Sequence, residues 1–141
     1  MDPTLNKEKS SYGSSRVKKE LLIGSDFAVL REEFLAKREA AFNKRKESQK
    51  IEKIFINFGG GDSGALPLEI LKILSRHPFS QNLPCVILAH YGGKEFSELQ
   101  KFCQSNEKYQ LLPSSDNISQ LYLDADLAIG AAGVSAYERA S

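Results

Sequence analysis

A chain of 141 residues has room for one domain with a core of ordinary size. Hydrophobic residues make up 41% and charged residues 26%, the balance of a globular protein that dissolves in water. A net charge of +1 excludes the bulk positive field that holds a nucleic acid or an acidic membrane.

The first 20 residues are polar, rich in Ser and Lys, and read as a disordered tail or linker ahead of a domain spanning residues 21–141. The amino terminus has no signal-peptide core, and no apolar run approaches bilayer length. Cys85 and Cys103 lack metal-ligand spacing and sit in or near apolar runs, so no disulfide framework is expected. These features together predict a cytoplasmic protein without membrane or nucleic-acid partners.

From Phe27 to about Lys46 the residues favour a helix, with Leu30, Phe34, Arg38 and Ala41 on one face and Ser25 or Asp26 as its cap. Its Lys44-Arg45-Lys46 cluster reads as a solvated helix end. Ile54 to Phe58 is a predicted strand, followed by the loop Gly59-Gly-Gly-Asp-Ser-Gly64. A helix is expected over Leu66 to Ser75, with Pro67 tolerated in its first turn. Cys85 to Ala89 forms the second strand, and Lys94 to about Ser105 the next helix. Tyr109 to Leu112 is a short third strand. Asn117 then caps a helix, and Asp126 to Gly130 is the fourth strand.

Strands alternating with helices of about ten residues predict βαβ units and an α/β, doubly wound parallel sheet. The last helix has only two turns before Ser141, which reads as a nucleotide-binding unit cut short at its carboxyl end. In such sheets ligands bind beyond the carboxyl ends of the strands, where the strand order reverses. An order 3-2-1-4 would place the loops after strands one and four together. Those loops are Gly59 to Gly64 and Gly130-Ala-Ala-Gly133. Their backbone N–H groups suit a phosphate, although each glycine also has the plainer role of permitting a tight turn.

Gly59 to Gly64 also fits the dinucleotide pattern G-x-G-x-x-G. That fingerprint needs an acid after the second strand, where this chain has Ala89, His90 and Tyr91, so the alternative is set aside. Ser135 and Glu138 have the spacing of a capping box, and spacing favours that reading over ribose binding by Glu138. His90 falls on the ligand side of the sheet, a position from which to line a base pocket, whereas His77 is expected to face solvent. Asp124 and Asp126 lie at the opposite end of the fourth strand, away from the crevice. No nucleophile, base and orienting group come together.

Three segments together resemble a known family. Leu22-Ile-Gly-Ser-Asp-Phe-Ala-Val-Leu-Arg-Glu-Glu-Phe34 is similar to the segment leading into the second domain of the UDP-sugar hydrolases of pseudaminic acid synthesis. Ile54-Phe-Ile-Asn-Phe-Gly-Gly-Gly-Asp62 resembles their first strand and loop. The most specific likeness runs from Asn117 through Gly130-Ala-Ala-Gly-Val-Ser-Ala-Tyr-Glu138 to Arg139. Spore-coat polysaccharide biosynthesis proteins share these features, as, more distantly, does the UDP-N-acetylglucosamine transferase of peptidoglycan synthesis.

The resemblance implies a glycosyltransferase-B-like architecture of two Rossmann-like domains, with UDP bound mainly by the second. Gly130, Ala131, Ala132, Gly133 and Ser135 would then face the pyrophosphate, Glu138 would hold the ribose, and Gly59, Gly60 and Gly61 would border the nucleotide. The family's hydrolases release a free diacetamido-trideoxy sugar from UDP without a metal or other cofactor. Their catalytic histidine belongs to an N-terminal domain, so a catalytic domain encoded upstream is the expected partner. A glycosyltransferase of surface polysaccharide assembly, using the same nucleotide site, and a non-catalytic remnant are the alternative readings. The chain departs from the family pattern at Val134 and Ala136, where Ser or Thr is usual, and at Tyr137, where Trp is usual. Glu32 replaces a common proline, and Gly24-Ser25 stands where Gly-Pro is usual.

Overall fold

The computed structural model describes residues 27–47, 50–59, 64–90 and 92–140. The two most apolar runs become β1 (Ile54–Asn57) and β2 (Cys85–Leu88), buried at every residue. Continuous burial is what a parallel strand covered on both faces requires. β3 (Tyr109–Leu112) and β4 (Leu127–Ile129) are more open, because they are the edges of the sheet. The strand order is β3-β2-β1-β4, and every pairing is parallel.

Five helices alternate with these strands among the described residues: α1 (Glu32–Glu47), α2 (Ala65–Leu74), α3 (Gly93–Gln104), α4 (Ile118–Asp124) and α5 (Val134–Ala140). Successive strand residues point to opposite faces, which divides the core in two. Ile54, Ile56, Cys85 and Ile87 pack with Leu68 and Leu71 of α2 and Phe96 and Leu99 of α3. Phe55, Val86 and Leu88 pack on the other face with Ile118, Leu121 and Tyr122 of α4. Tyr122 joins this face to α1, its ring centroid 4.8 Å from Phe55 and 5.8 Å from Phe34. Each fully buried side chain of this size contributes about 1.5–3 kcal/mol. The fold is an α/β, doubly wound, Rossmann-like sheet.

The expected elements appear within a few residues of their predicted bounds, with three differences. α1 begins at Glu32 rather than Phe27, and Arg31, the residue ahead of it, is ion-paired with Glu33 and the buried Glu138. Ser25 and Asp26, the expected caps of that helix, lie outside the described residues, as does the tail. The basic cluster is not wholly solvated. Arg45 and Lys46 are exposed, but Lys44 turns inward and its Nζ donates to the carbonyls of Leu123, Asp124 and Ala125 at 3.0, 2.9 and 3.2 Å. Those are free acceptors at the end of α4, so one lysine caps a neighbouring helix. The third difference, at α5, belongs to the site.

Asn117 caps α4 as predicted, its Oδ1 accepting from Gln120 N–H at 3.3 Å. Cys85 and Cys103 are buried free thiols, and burial pushes both up to about 11. No described helix is long and apolar enough to cross a membrane.

Candidate functional site

β1 pairs on one side with β2 and on the other with β4, so the strand order reverses at β1. The chain therefore leaves two adjacent strands at the same end of the sheet, with Ile56 of β1 opposite Ile129 of β4. The loop after β1 begins at Phe58-Gly59, and the loop after β4 is Gly130 to Gly133. The two glycine-rich segments that the sequence singled out therefore start from adjacent strand ends. Gly60 and Gly61 lie outside the described residues.

The glycines in these loops have different causes. Gly59 and Gly133 have φ of 85° and 115°, and a Cβ at either would meet open space. Side chains rarely adopt such backbone, and their absence leaves the main chain accessible. Gly130 is instead a packing glycine. A Cβ there would collide with the carbonyl oxygen of Asn57 and come within 2.8 Å of Arg139 Nη1. Its small size lets the ends of β1 and β4 meet.

Asn57 is a residue whose importance the sequence reading missed. It is 7% exposed, and its Oδ1 accepts from Gly59 N–H at 2.9 Å while its Nδ2 donates to Tyr122 Oη at 3.3 Å. The side chain thus shapes the start of the first loop as an Asx turn. A signal was available, since Asn57 is the polar residue that interrupts Ile-Phe-Ile-Asn-Phe. On the second loop, Arg139 Nη2 donates to the Ala131 carbonyl at 2.7 Å and holds the turn from behind.

The capping box expected of Ser135 and Glu138 does not form. α5 starts at Val134, directly after Gly133, and Ala136 N–H donates to the Gly133 carbonyl at 2.9 Å. Gly133, with its positive φ, takes the position before the helix, so α5 starts two residues sooner than a cap at Ser135 requires and Ser135 falls inside the first turn. Glu138 is 8% exposed and turns to Arg31, accepting from Nε at 2.7 Å and Nη2 at 3.0 Å. Its strongest partner lies at the other end of the described chain. The Arg31 guanidinium is held more firmly protonated than usual, first by this hydrogen bond, against some desolvation, and then by the charges of Glu138 and Glu33.

Of the remaining expected residues, Ala131 and Ser135 are half-buried, and Ala132 and Gly133 are exposed on the loop. His90 is exposed just beyond β2, at the same end of the sheet as the glycine loops. His77 is exposed, as expected, and its Nδ1 accepts from Phe79 N–H at 3.3 Å. Asp126 lies at the opposite end of β4, paired with Lys44 at 2.9 Å. A cavity of about 240 Å³ opens between α1, α4 and α5, with Phe34, Tyr122, Ala128 and Arg139 in its wall. It lies over one face of β4 rather than at the glycine loops. Among the described residues no group of three or more His, Cys, Asp or Glu is placed to hold a metal.

The fold and the reversal at β1 are those of the doubly wound α/β class, in which a ligand, where one binds, sits beyond the carboxyl ends of the strands. The chain matches no protein-family model and no curated protein.

Proposed function

We propose that this chain is the nucleotide-sugar-binding domain of a UDP-sugar hydrolase, holding UDP at the carboxyl ends of β1 and β4. The observation that carries this reading is the strand order β3-β2-β1-β4, by which the glycine loops after β1 and β4 leave neighbouring strands at the same end of the sheet. Doubly wound sheets bind their ligands at such a reversal. Gly133, open on its Cα and exposed, lets the backbone of the second loop approach a pyrophosphate without a side chain in the way. Glu138, one turn into α5, is the acceptor for the ribose hydroxyls.

The identity of the sugar and the hydrolytic reaction rest on the resemblance of residues 117–139 to the UDP-sugar hydrolases of pseudaminic acid synthesis. The substrate on this reading is a UDP-linked diacetamido-trideoxy hexose. This chain's part is to bind and orient the nucleotide, and a separate catalytic domain supplies the group that attacks the sugar carbon.

The test is an NMR titration of the folded chain with UDP. Saturable shifts are expected at Gly59 and from Gly130 to Gly133, and they should be lost in Glu138→Ala. A folded sample whose resonances do not move with UDP would show that the reading is wrong.

A further inference from the structure

α1, α4 and α5 do not close over β4. The cavity of about 240 Å³ that they leave is walled by Phe34, Ala41 and Phe42 of α1, Tyr122 of α4 and Ala128 of β4. A cavity of about 150 Å³ holds benzene, so this one has room for a single ring and a small polar group. The Phe34 and Tyr122 rings lie 5.8 Å apart at a tilt of 53°, and Phe42 is 50% exposed. Aromatic walls of this kind take a further ring edge to face or offset.

The charge around the cavity is one-sided. Lys37, Arg38 and Arg45 of α1 and Arg139 of α5 line it, and none pairs with a carboxylate among the described residues. Lys37 donates to the side-chain oxygens of Asn117 and Gln120, and Arg139 Nη2 to the Ala131 carbonyl. Arg139 Nη1 is buried with no hydrogen-bond partner among the described residues. Arg38 lies over the Phe42 ring, 5.7 Å from its centroid, and Arg45 follows two turns later on the same side of α1. The two acids in the wall are already balanced, Asp126 by Lys44 and Glu138 by Arg31. Apolar walls bordered by unmatched cations suit a ligand that is flat and apolar at one end and negative at the other.

We propose that this cavity is a second binding site, apart from the glycine loops, for a small aromatic anion: one ring carrying a phosphate or a carboxylate. The ring packs against Phe42 and Tyr122, and the anion meets Arg38 and Arg45 at the rim. A guanidinium binds either anion through paired N–H groups. The proposal does not depend on UDP binding at the loops.

The test titrates the folded chain with phenyl phosphate and with benzoate and follows amide shifts by NMR. Phenol and inorganic phosphate serve as the ring and the anion alone. One of the two aromatic anions should bind about tenfold or more tightly than either of these, with shifts at Ala41, Tyr122 and Ala128. Arg38→Gln combined with Arg45→Gln should weaken that anion by about three- to tenfold and leave phenol unchanged. Ala41→Trp should fill the cavity and abolish binding. Neither variant touches Phe34, the buried residue of α1. The proposal is overturned if neither aromatic anion exceeds phenol and phosphate, or if the paired arginine variant binds as the native chain does. If Ala41→Trp does not fold, the arginine variant decides. Saturating UDP separates the two sites. Phenyl phosphate that still binds beside UDP supports the proposal, and displacement from Tyr122 and Ala128 makes the sites one and overturns it. A chain in which UDP moves no resonance leaves this proposal standing while the nucleotide reading falls. Dimers in sedimentation with the same amides covered, or oligoglutamate bound where phenyl phosphate is not, would give the cavity a protein occupant and overturn it.

Discussion

Lys44, in the last turn of α1, places its Nζ 2.9 Å from Oδ1 of Asp126 at the head of β4. Asp126 Oδ2 in turn accepts from Glu52 N–H and Lys53 N–H, both at 2.9 Å. The same ammonium caps the end of α4. One pair therefore ties two helix ends to the start of two strands. Lys44→Met should lower stability by about 1–2 kcal/mol, since the pair is only partly screened by solvent. Urea denaturation of both chains measures the difference, and an unchanged midpoint would show the contacts to be worth nothing net.

The same carboxylate gives the fold an acid sensitivity of known sign. Burial pushes the Asp126 carboxyl up, but the Lys44 hydrogen bond, the two backbone N–H groups and the Lys44 charge together hold it below the ordinary value. A depressed carboxylate adds stability that is present above its unfolded value and lost as pH falls through the folded one. Stability should therefore drop below about pH 4. Asp126→Asn should flatten that part of the curve, which denaturation at pH 7 and pH 3 would reveal.

The buried thiols respond at the other end of the scale. With Cys85 and Cys103 pushed up to about 11, the folded state favours the neutral thiols. That contribution is complete below the unfolded thiol value and is lost as pH rises through the folded one. At pH 8 the smaller thiolate fraction alone should slow a disulfide reagent by about a hundredfold relative to the unfolded chain. Equal rates in native buffer and in urea would contradict the burial of both side chains.

Gly130 and Gly133 should respond differently to the same substitution. Gly130→Ala drives a Cβ into the Asn57 carbonyl and should cost about 2–3 kcal/mol by overpacking. Gly133→Ala meets open space but keeps a φ of 115°, and only backbone strain of about 1 kcal/mol or more is expected. Thermal melts of the two variants would separate packing from strain. A harmless Gly130→Ala would mean the strand ends do not meet as described.

Asn117→Ala should cost about 1 kcal/mol through loss of the cap on α4. The Asn117 Oδ1 also accepts from Lys37 Nζ at 3.0 Å and from Ser119 Oγ at 3.2 Å. Helix content and the urea midpoint together report the loss.

The sheet was legible because its signals are local. Ile-Phe-Ile and Cys-Val-Ile-Leu are apolar runs too short for helices, and the helices between them force parallel pairing. Asn117 was legible for the same reason, since a cap bonds within its own turn. Glu138 and Lys44 were not. Glu138 has the spacing of a local cap, but a guanidinium 107 residues away outcompetes the backbone for its carboxylate. Lys44 sits in a run of like charges, and nothing in that run distinguishes the one that turns inward. The glycines were visible as residues, but only the register of β1 against β4 separates the packing glycine from the open ones.

The placement of β4 has a consequence for the backbone around the candidate site. β1 is gripped from both sides and buried throughout, whereas β4 has three residues, one neighbour and partial exposure. Local opening starts where few buried contacts hold the backbone, so β4 and the loop it carries should exchange amide hydrogens well before β1 or β2. The loop from Gly130 to Gly133 is then softer than the end of β1 beside it. A ligand bridging the two would draw part of its effect from quieting that edge, and slowed exchange at Leu127 to Ile129 would be its signature.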